Sequence, residues 1–122
     1  MPIADVLIVS HPSVPVANDA ATRLANALGS CLHAAPGRVW VRLSLLPFQE
    51  YAENDTVLST AELPVFVTLL HAVPPVSEAL HREVLAVTDA VAKCLDRPAN
   101  RVHLEYATAA RGRLAFGGKL VK

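Results

Sequence analysis

Two prolines stand directly before short apolar runs, and the chemistry of their nitrogens differs. Pro2 precedes IADVLIV and Pro64 precedes VFVTLLH. Pro64 is a tertiary amide bonded to Leu63 and can only be structural, whereas Pro2 would be a secondary amine if Met1 were removed. A free α-amine titrates near roughly pH 7.7–8.0, and burial lowers that pKa because it disfavours the cation. Such an amine can take a proton from a carbon beside a carbonyl and return it elsewhere.

Charged and aromatic side chains alternate with apolar ones in two later segments, RVWVRLSLL and RVHLEYATA. A period of two is typical of a strand with one buried face. The apolar faces would meet the helices, and the opposite, polar and aromatic faces would point away from them. Those opposite faces contain Arg38, Trp40, Arg42 and Ser44 in the first segment, and Arg101, His103, Glu105 and Ala107 in the second.

An internal repeat relates the two halves of the chain. A shift of 62 residues places Pro2 on Pro64, and a shift of 63 places Cys31 on Cys94. The order of elements is the same in both halves, as in a diverged duplication. We expect a single domain over 1–122 with two β-α-β repeats, approximately 2–55 and 64–122. Pro64 is expected at the place that Pro2 has in the first repeat.

Each repeat contains a helix with one apolar stripe at spacings of three and four. The stripes predict that both helices lie on a sheet: Ala20, Leu24, Ala27, Leu28, Cys31 and Leu32 in the first, and Leu80, Val84, Val87, Val91, Cys94 and Leu95 in the second. Ser77 is a candidate N-cap of the second helix. The strands of a β-α-β unit are parallel, with a right-handed connection. The prediction is an α+β fold, in which the two units form a four-stranded mixed sheet with two helices on one face. The other sheet face, with Trp40 and several charges, is expected to pack against further subunits.

Composition excludes several functional classes. Basic and acidic residues balance at eleven each, without a basic run, so we expect no nucleic-acid partner. The apolar runs are too short to cross a bilayer and no signal peptide is evident, which predicts a cytoplasmic protein without membrane contact. Cys31 and Cys94 belong to no CxxC or zinc-like cluster, so we expect two reduced, buried thiols, no metal and no cofactor.

The two β-α-β units, the opening Met-Pro-Ile and the C-terminal RGRLAFGGKL together resemble the tautomerase superfamily. The second half is similar to 4-oxalocrotonate tautomerase, whose subunit is one such unit ending in a glycine-rich hairpin. The full length resembles the fused branch, with malonate semialdehyde decarboxylase and the cis-3-chloroacrylic acid dehalogenases.

The resemblance implies that Met1 is removed and that Pro2 becomes the catalytic acid or base. It implies a tautomerase, or a related hydratase-type enzyme, acting on a small 2-oxo or enol carboxylate. Because two fused units replace a dimer of single units, it also implies a homotrimer.

The sequence departs from the family where the family carries arginines. Pro12 and Pro74 follow the first strands, His103 lies at the second-strand position with Trp40 as its repeat mate, and the hairpin aromatic falls on Leu114. Replacement substrate-binding residues are Arg42, Trp40, His103, Glu105, Tyr51 and Phe116. Further possible replacements are Arg38, His11, His71, Arg111 and Arg113. Arg42 is favoured as the cation, with an ion pair to Glu105 of another subunit as the alternative. The loop containing Tyr51 covers a neighbouring pocket or is an ordinary connector.

Two other functional interpretations remain open from the sequence. One is a non-catalytic, trimeric protein of the same fold with a binding or scaffold role. The other is a ferredoxin-like ligand-binding domain, which has no need of Pro2 at its start.

Overall fold

A computed structural model of the protein describes residues 1–122, and its main elements repeat the order strand, helix, strand. No helix combines the length and the hydropathy needed to cross a membrane. The elements are β1 (Ile3–Ser10), α1 (Ala20–Cys31), β2 (Trp40–Pro47), β3 (Val65–Leu70), α2 (Ser77–Leu95), β4 (Val102–Tyr106), β5 (Ala115–Phe116) and β6 (Lys119–Leu120).

The four long strands form one mixed sheet in the order β2-β1-β3-β4. The pairs β1–β2 and β3–β4 are parallel, as β-α-β units require, and the two first strands meet antiparallel in the centre. Ile3 pairs with Trp40 on one side and with Leu70 on the other. The predicted four-stranded mixed sheet is therefore confirmed, and the start of β1 lies beside the end of β3.

Both helices pack on the same sheet face, as predicted. Each fully buried Leu, Ile or Val side chain contributes about 1.5–3 kcal/mol through removal of apolar surface from water. The central cluster comprises Ala4, Val6, Ile8, Val65, Val67, Leu69 and Val102 from the sheet, and Leu24, Leu28, Val87, Val91 and Ala92 from the helices.

Three local expectations differ from the structure. Leu45 was expected to face the helices but is 53% exposed, because it lies near the end of the edge strand β2, in a groove with Val16 and Phe48. Ser77 is the first residue of α2 rather than its cap; the N-cap is Val76, which makes no side-chain capping bond. Leu80 is only half-buried.

The structure corrects the register of the repeat. Ala4 in β1 and Val67 in β3 both face the helices, and a shift of 63 relates them, as it relates Leu24 to Val87. Pro2 therefore corresponds to Val65, not to Pro64. The backbone agrees, because the Pro2 carbonyl accepts from Trp40 N–H of β2, whereas the Pro64 carbonyl accepts from Val9 N–H of β1. The expected equivalence of the two prolines is wrong by one residue.

The predicted C-terminal hairpin is present as β5 and β6. Gly117 and Gly118 have φ of 56° and 85°, which a tight two-residue turn between antiparallel strands requires. Gly112 N–H and Val121 N–H donate to the carbonyls of Val121 and Leu114, both at 2.7 Å. These bonds anchor the hairpin and hold Phe116 over the sheet.

Cys31 and Cys94 are free, half-buried thiols that pack against the core. Burial raises the pKa of both. At neutral pH each behaves as a small apolar side chain rather than a nucleophile.

Arg97 joins the end of β1 to the segment before β3. Its guanidinium is buried, at 7% exposure, and donates to the carbonyls of Leu63 at 2.8 Å and Val9 at 3.1 Å. Burial lowers the pKa of Arg97. The buried Arg97 guanidinium therefore has a structural role. Its loss would leave two strand-end carbonyls without a hydrogen-bond donor and would destabilise the fold.

Replacing Arg97→Met is expected to lower the free energy of unfolding by about 2–4 kcal/mol, because two buried carbonyls lose their partner. Urea denaturation followed by far-UV circular dichroism measures this loss. The control Lys93→Met removes an exposed ion pair with Asp89 and should change stability by less than about 1 kcal/mol. Equal losses for the two variants would show that Arg97 does not hold the strand ends.

Candidate functional site

Pro2 lies at one end of the sheet, where segments from both repeats meet. The residue is buried, and its carbonyl accepts a hydrogen bond from Trp40 N–H at 3.1 Å. The next residue, Ile3, pairs with Trp40 and Leu70. The position of Pro2 is thus fixed by β2 on one side and by the end of β3 on the other.

The environment at the chain start disfavours a protonated amine. Burial first, and the Arg38 guanidinium second, lower the pKa of the Met1 amine. Pro2 is more deeply buried than the half-exposed Met1. Loss of Met1 would therefore place a secondary amine where desolvation and a nearby cation both favour its neutral, proton-accepting form.

Arg38 and two aromatic side chains lie around this end of the sheet. Arg38 is exposed and forms no salt bridge. Trp40, 49% exposed, packs edge-on against Phe116, with ring centroids 4.6 Å apart, and its indole N–H donates to the Gly37 carbonyl at 3.0 Å. The structure thus brings together Pro2, Trp40 and Phe116 from the predicted set and adds an unpaired guanidinium.

Arg42, favoured from sequence as the cation, has a partner within its own chain. Its Nε and Nη2 donate to the two carboxylate oxygens of Asp5, at 2.5 and 2.8 Å. The Asp5 hydrogen bond and charge raise the pKa of Arg42. Asp5 is the cross-strand neighbour of Arg42 in the parallel pair β1–β2, so a bidentate pair forms directly.

Glu105 belongs to the same level of the open sheet face. Its carboxylate accepts from Thr68 Oγ1 at 3.0 Å, and Thr68 pairs with Asp5. Arg42, Asp5, Thr68 and Glu105 form a polar row across all four strands. In this chain Glu105 does not reach Arg42, and the polar row separates the two ends of the open face.

His103 and Tyr51 lie beyond the polar row, at the end away from Pro2. The His103 ring packs on Phe66 at 5.3 Å, and Tyr51 lies 5.9 Å from Phe66. The Tyr51 hydroxyl donates to Glu53 at 2.7 Å, and Arg101 also binds Glu53. These two contacts lower the pKa of Glu53, while burial, then Glu53, raises that of Tyr51.

The repeat shows which cation is free. A shift of 63 relates Arg38 to Arg101. Arg101 is bound by Glu53, and its Nε donates to the Glu62 carbonyl, whereas Arg38 has no carboxylate partner. Sequence analysis placed Arg38 on the open face but did not select it. The residue that could have indicated Arg38 is Asp5. As the cross-strand neighbour of Arg42, it binds that guanidinium and leaves Arg38 as the unpaired cation.

The structure contains no group of three His, Cys, Asp or Glu side chains arranged to hold a metal ion. The Pro2 end of the open face brings together the chain start, the Arg38 guanidinium and the paired rings of Trp40 and Phe116.

Comparison with known proteins identifies the fold. No protein-family model matches the sequence, and no curated protein is detectably similar to it. Among solved structures, the chain is similar to Pt0534 inactivated by 2-oxo-3-pentynoate, with a TM-score of 0.76 and 13% identity over 98% of this chain and 94% of that one. The wild-type F6 fused 4-OT asymmetric trimer gives 0.75 and 16% over 97% and 94%. The macrophage migration inhibitory factor of Trichinella spiralis gives 0.71 and 15% over 97% and 98%. The predicted resemblance to the tautomerase-superfamily fold is confirmed.

A small carboxylate that binds Arg38 should change the fluorescence of Trp40, the only tryptophan of the chain. Titration with malonate is expected to give saturable quenching. Arg38→Met should weaken binding at least about tenfold, since a charge-assisted pair contributes about 1.5–3 kcal/mol. The matched control Arg42→Met should bind malonate with unchanged affinity. The reverse pattern would assign the cation to Arg42.

Proposed function

We propose that the protein is a tautomerase of the tautomerase superfamily that uses Pro2, freed by removal of Met1, as its acid–base residue. The substrate class is a small 2-oxo or enol carboxylate. The observation that carries the proposal is the buried position of Pro2 beside the Met1 amine, whose pKa is lowered by burial and by Arg38. The fold neighbour Pt0534, inactivated by a 2-oxo acid, supports the substrate class.

The proposed reaction moves one proton and needs no cofactor. The neutral Pro2 nitrogen accepts the hydroxyl proton of the enol while the C–O bond becomes a carbonyl and the carbon–carbon double bond opens. The resulting ammonium returns the proton to the neighbouring carbon. The amine finishes in its starting state, and the product is the isomeric keto acid.

Arg38 is the proposed partner of the substrate carboxylate. A planar guanidinium binds a carboxylate through two parallel hydrogen bonds and stabilises charge that develops on an adjacent oxygen. Trp40 and Phe116 would cover the substrate, because their paired rings form an apolar wall beside Pro2. This assignment replaces Arg42, whose charge is already compensated by Asp5.

Pro2→Ala is expected to reduce ketonisation of phenylenolpyruvate at least about a hundredfold, the range typical of acid–base groups. Loss of enol absorbance measures the rate. The control Pro15→Ala changes an exposed proline in the loop between β1 and α1 and should keep the wild-type rate. Equal activity of Pro2→Ala and wild type contradicts the proposed base.

A second candidate is a non-catalytic trimer with a binding role. It is favoured by proline and histidine at the family's arginine positions, Pro12 and His103. Intact mass distinguishes the two candidates, because the enzyme requires a native chain without Met1. A retained methionine together with no turnover of enols would support the second candidate.

We propose that the open sheet face is buried in a cytoplasmic homotrimer. Trp40 and half-buried apolar side chains such as Leu7 remain on that face in the single chain. Fused 4-OT structures of the same fold are described as trimers. In a trimer, the far end of one sheet would approach the Pro2 end of the next, so His103, Glu105 and Tyr51 would contribute from the neighbouring subunit.

Leu7→Asp is expected to dissociate the trimer, because it buries a charge in an apolar interface. Light scattering after size exclusion should give the mass of one chain instead of three. The control Leu85→Asp changes a side chain that is 72% exposed on α2 and should leave the mass at three chains. A wild-type monomer contradicts the assembly.

A further inference from the structure

A buried polar network lies on the helix side of the sheet and takes no part in the proposed reaction. The Glu83 carboxylate accepts a hydrogen bond from the Tyr106 hydroxyl at 2.7 Å and is 2.9 Å from His71 Nε2. The side chains of His71 and Glu83 are only 13% and 14% exposed. The rings of His71 and Tyr106 stack with centroids 6.0 Å apart.

The first repeat has apolar residues at the three positions that are equivalent to His71, Glu83 and Tyr106. The shift of 63 relates His71 to Ile8, Glu83 to Ala20 and Tyr106 to Leu43. Ile8 and Ala20 are buried, and Leu43 packs against the core. The second repeat therefore places a carboxylate, an imidazole and a phenol where an apolar set suffices. Burying a carboxylate costs stability unless it is well bonded, so the fold does not require this exchange.

The network lies on the helix side of the sheet, at the end where β1 begins. His71 follows Leu70, which pairs with Ile3 in the antiparallel ladder, so continuing that ladder by one residue sets His71 opposite Pro2. Both residues are in register with the helix-facing side chains Ala4 and Leu69. Opposed residues of antiparallel strands have Cα atoms only about 4.5–5.5 Å apart. The Glu83 carboxylate, bound to His71, therefore lies on the helix side of the sheet at the end where Pro2 stands.

Other charged and titratable groups also lie at this end, among them Arg111, whose backbone N–H donates to the carbonyl of Ala72, next to His71. Arg38 approaches from the segment before β2, and Cys31 from the end of α1. Burial, then the charge of Glu83, raises the pKa of Cys31, which keeps that thiol neutral. Asp5 and Arg42 on the open face neutralise each other. Glu83 is the carboxylate that the network with His71 and Tyr106 holds on the helix side of this end.

We propose that Glu83, held by Tyr106 and His71, is a positioning residue that stabilises the protonated form of the Pro2 amine. This inference rests on the proposed function of Pro2. Burial and Arg38 both disfavour the protonated Pro2 amine. The fixed Glu83 carboxylate, on the helix side of the sheet, favours that protonated form. Burial and the bond to Glu83 raise the pKa of Tyr106, so the phenol stays a donor and keeps the carboxylate in place. The amine can then act as a base before the proton moves and as an acid afterwards.

The test measures the amine directly, without substrate. In protein labelled with ¹⁵N-proline, the Pro2 nitrogen is the one proline nitrogen able to titrate, since every other proline is a tertiary amide. Glu83→Gln is expected to lower the Pro2 pKa by about half a unit to one unit, from the loss of one nearby charge. The acid limb of kcat/KM should move to lower pH by the same amount, because the base is active only when unprotonated. The control Glu78→Gln removes an exposed charge from the same helix and should shift neither value.

A second variant keeps the test decisive if Glu83→Gln does not fold. The triple change His71→Ile, Glu83→Ala and Tyr106→Leu introduces the apolar set that the first repeat already uses, and should lower the Pro2 pKa equally. A titrating Pro2 whose pKa is unchanged in the folded variants overturns this inference and leaves the proposed function intact. Absence of any titrating proline nitrogen in the wild type overturns both.

Discussion

The antiparallel pairing of β1 with β3 is the contact on which the arrangement of this protein depends. Each β-α-β unit fixes only the parallel neighbour of its own first strand, and the central pairing joins the two units into one sheet. Because Ile3 pairs with Leu70, the start of one repeat lies against the end of the other repeat's first strand. A slip of this ladder by one residue would move every side chain of β1 to the opposite face. Pro2, Trp40 and His71 are neighbours only in the observed register.

The duplication provides an internal comparison within one molecule. Equivalent positions share backbone surroundings, so a difference between them reflects the side chains. Arg101 is neutralised by Glu53 while Arg38 is not, and Glu83 replaces Ala20 on a helix stripe that is otherwise apolar in both copies. Arg38 thus has no carboxylate partner, and Glu83 is bonded to His71 and Tyr106. In the second repeat the equivalent guanidinium is bound by Glu53, and Pro64 is a tertiary amide.

Sequence patterns predicted the architecture because alternation and helical periodicity depend on neighbours along the chain. The strands, both helices and the Gly117–Gly118 hairpin follow from such local rules. Local rules could not identify the unpaired arginine, because the pairing of Arg42 with Asp5 depends on the β1–β2 register. The apparent match of Pro2 with Pro64 was misleading because a one-residue offset changes the strand face but hardly changes a short alignment. The sequence pattern did not identify Glu83, because a charged residue does not count toward an apolar stripe. The shift of 63 nevertheless relates Glu83 to Ala20 of the first helix.

The proposed charges around Pro2 make the basicity of the amine depend on occupancy of the site. In the empty protein Arg38 disfavours the ammonium, while Glu83 favours it from the other side of the sheet. A bound substrate carboxylate would neutralise Arg38 without affecting Glu83. The balance would then shift toward the protonated amine, so Pro2 becomes a stronger base when there is a proton to accept. On this view the unpaired Arg38 not only holds the substrate but also couples its arrival to the proton transfer, and a paired cation such as Arg42 could do neither.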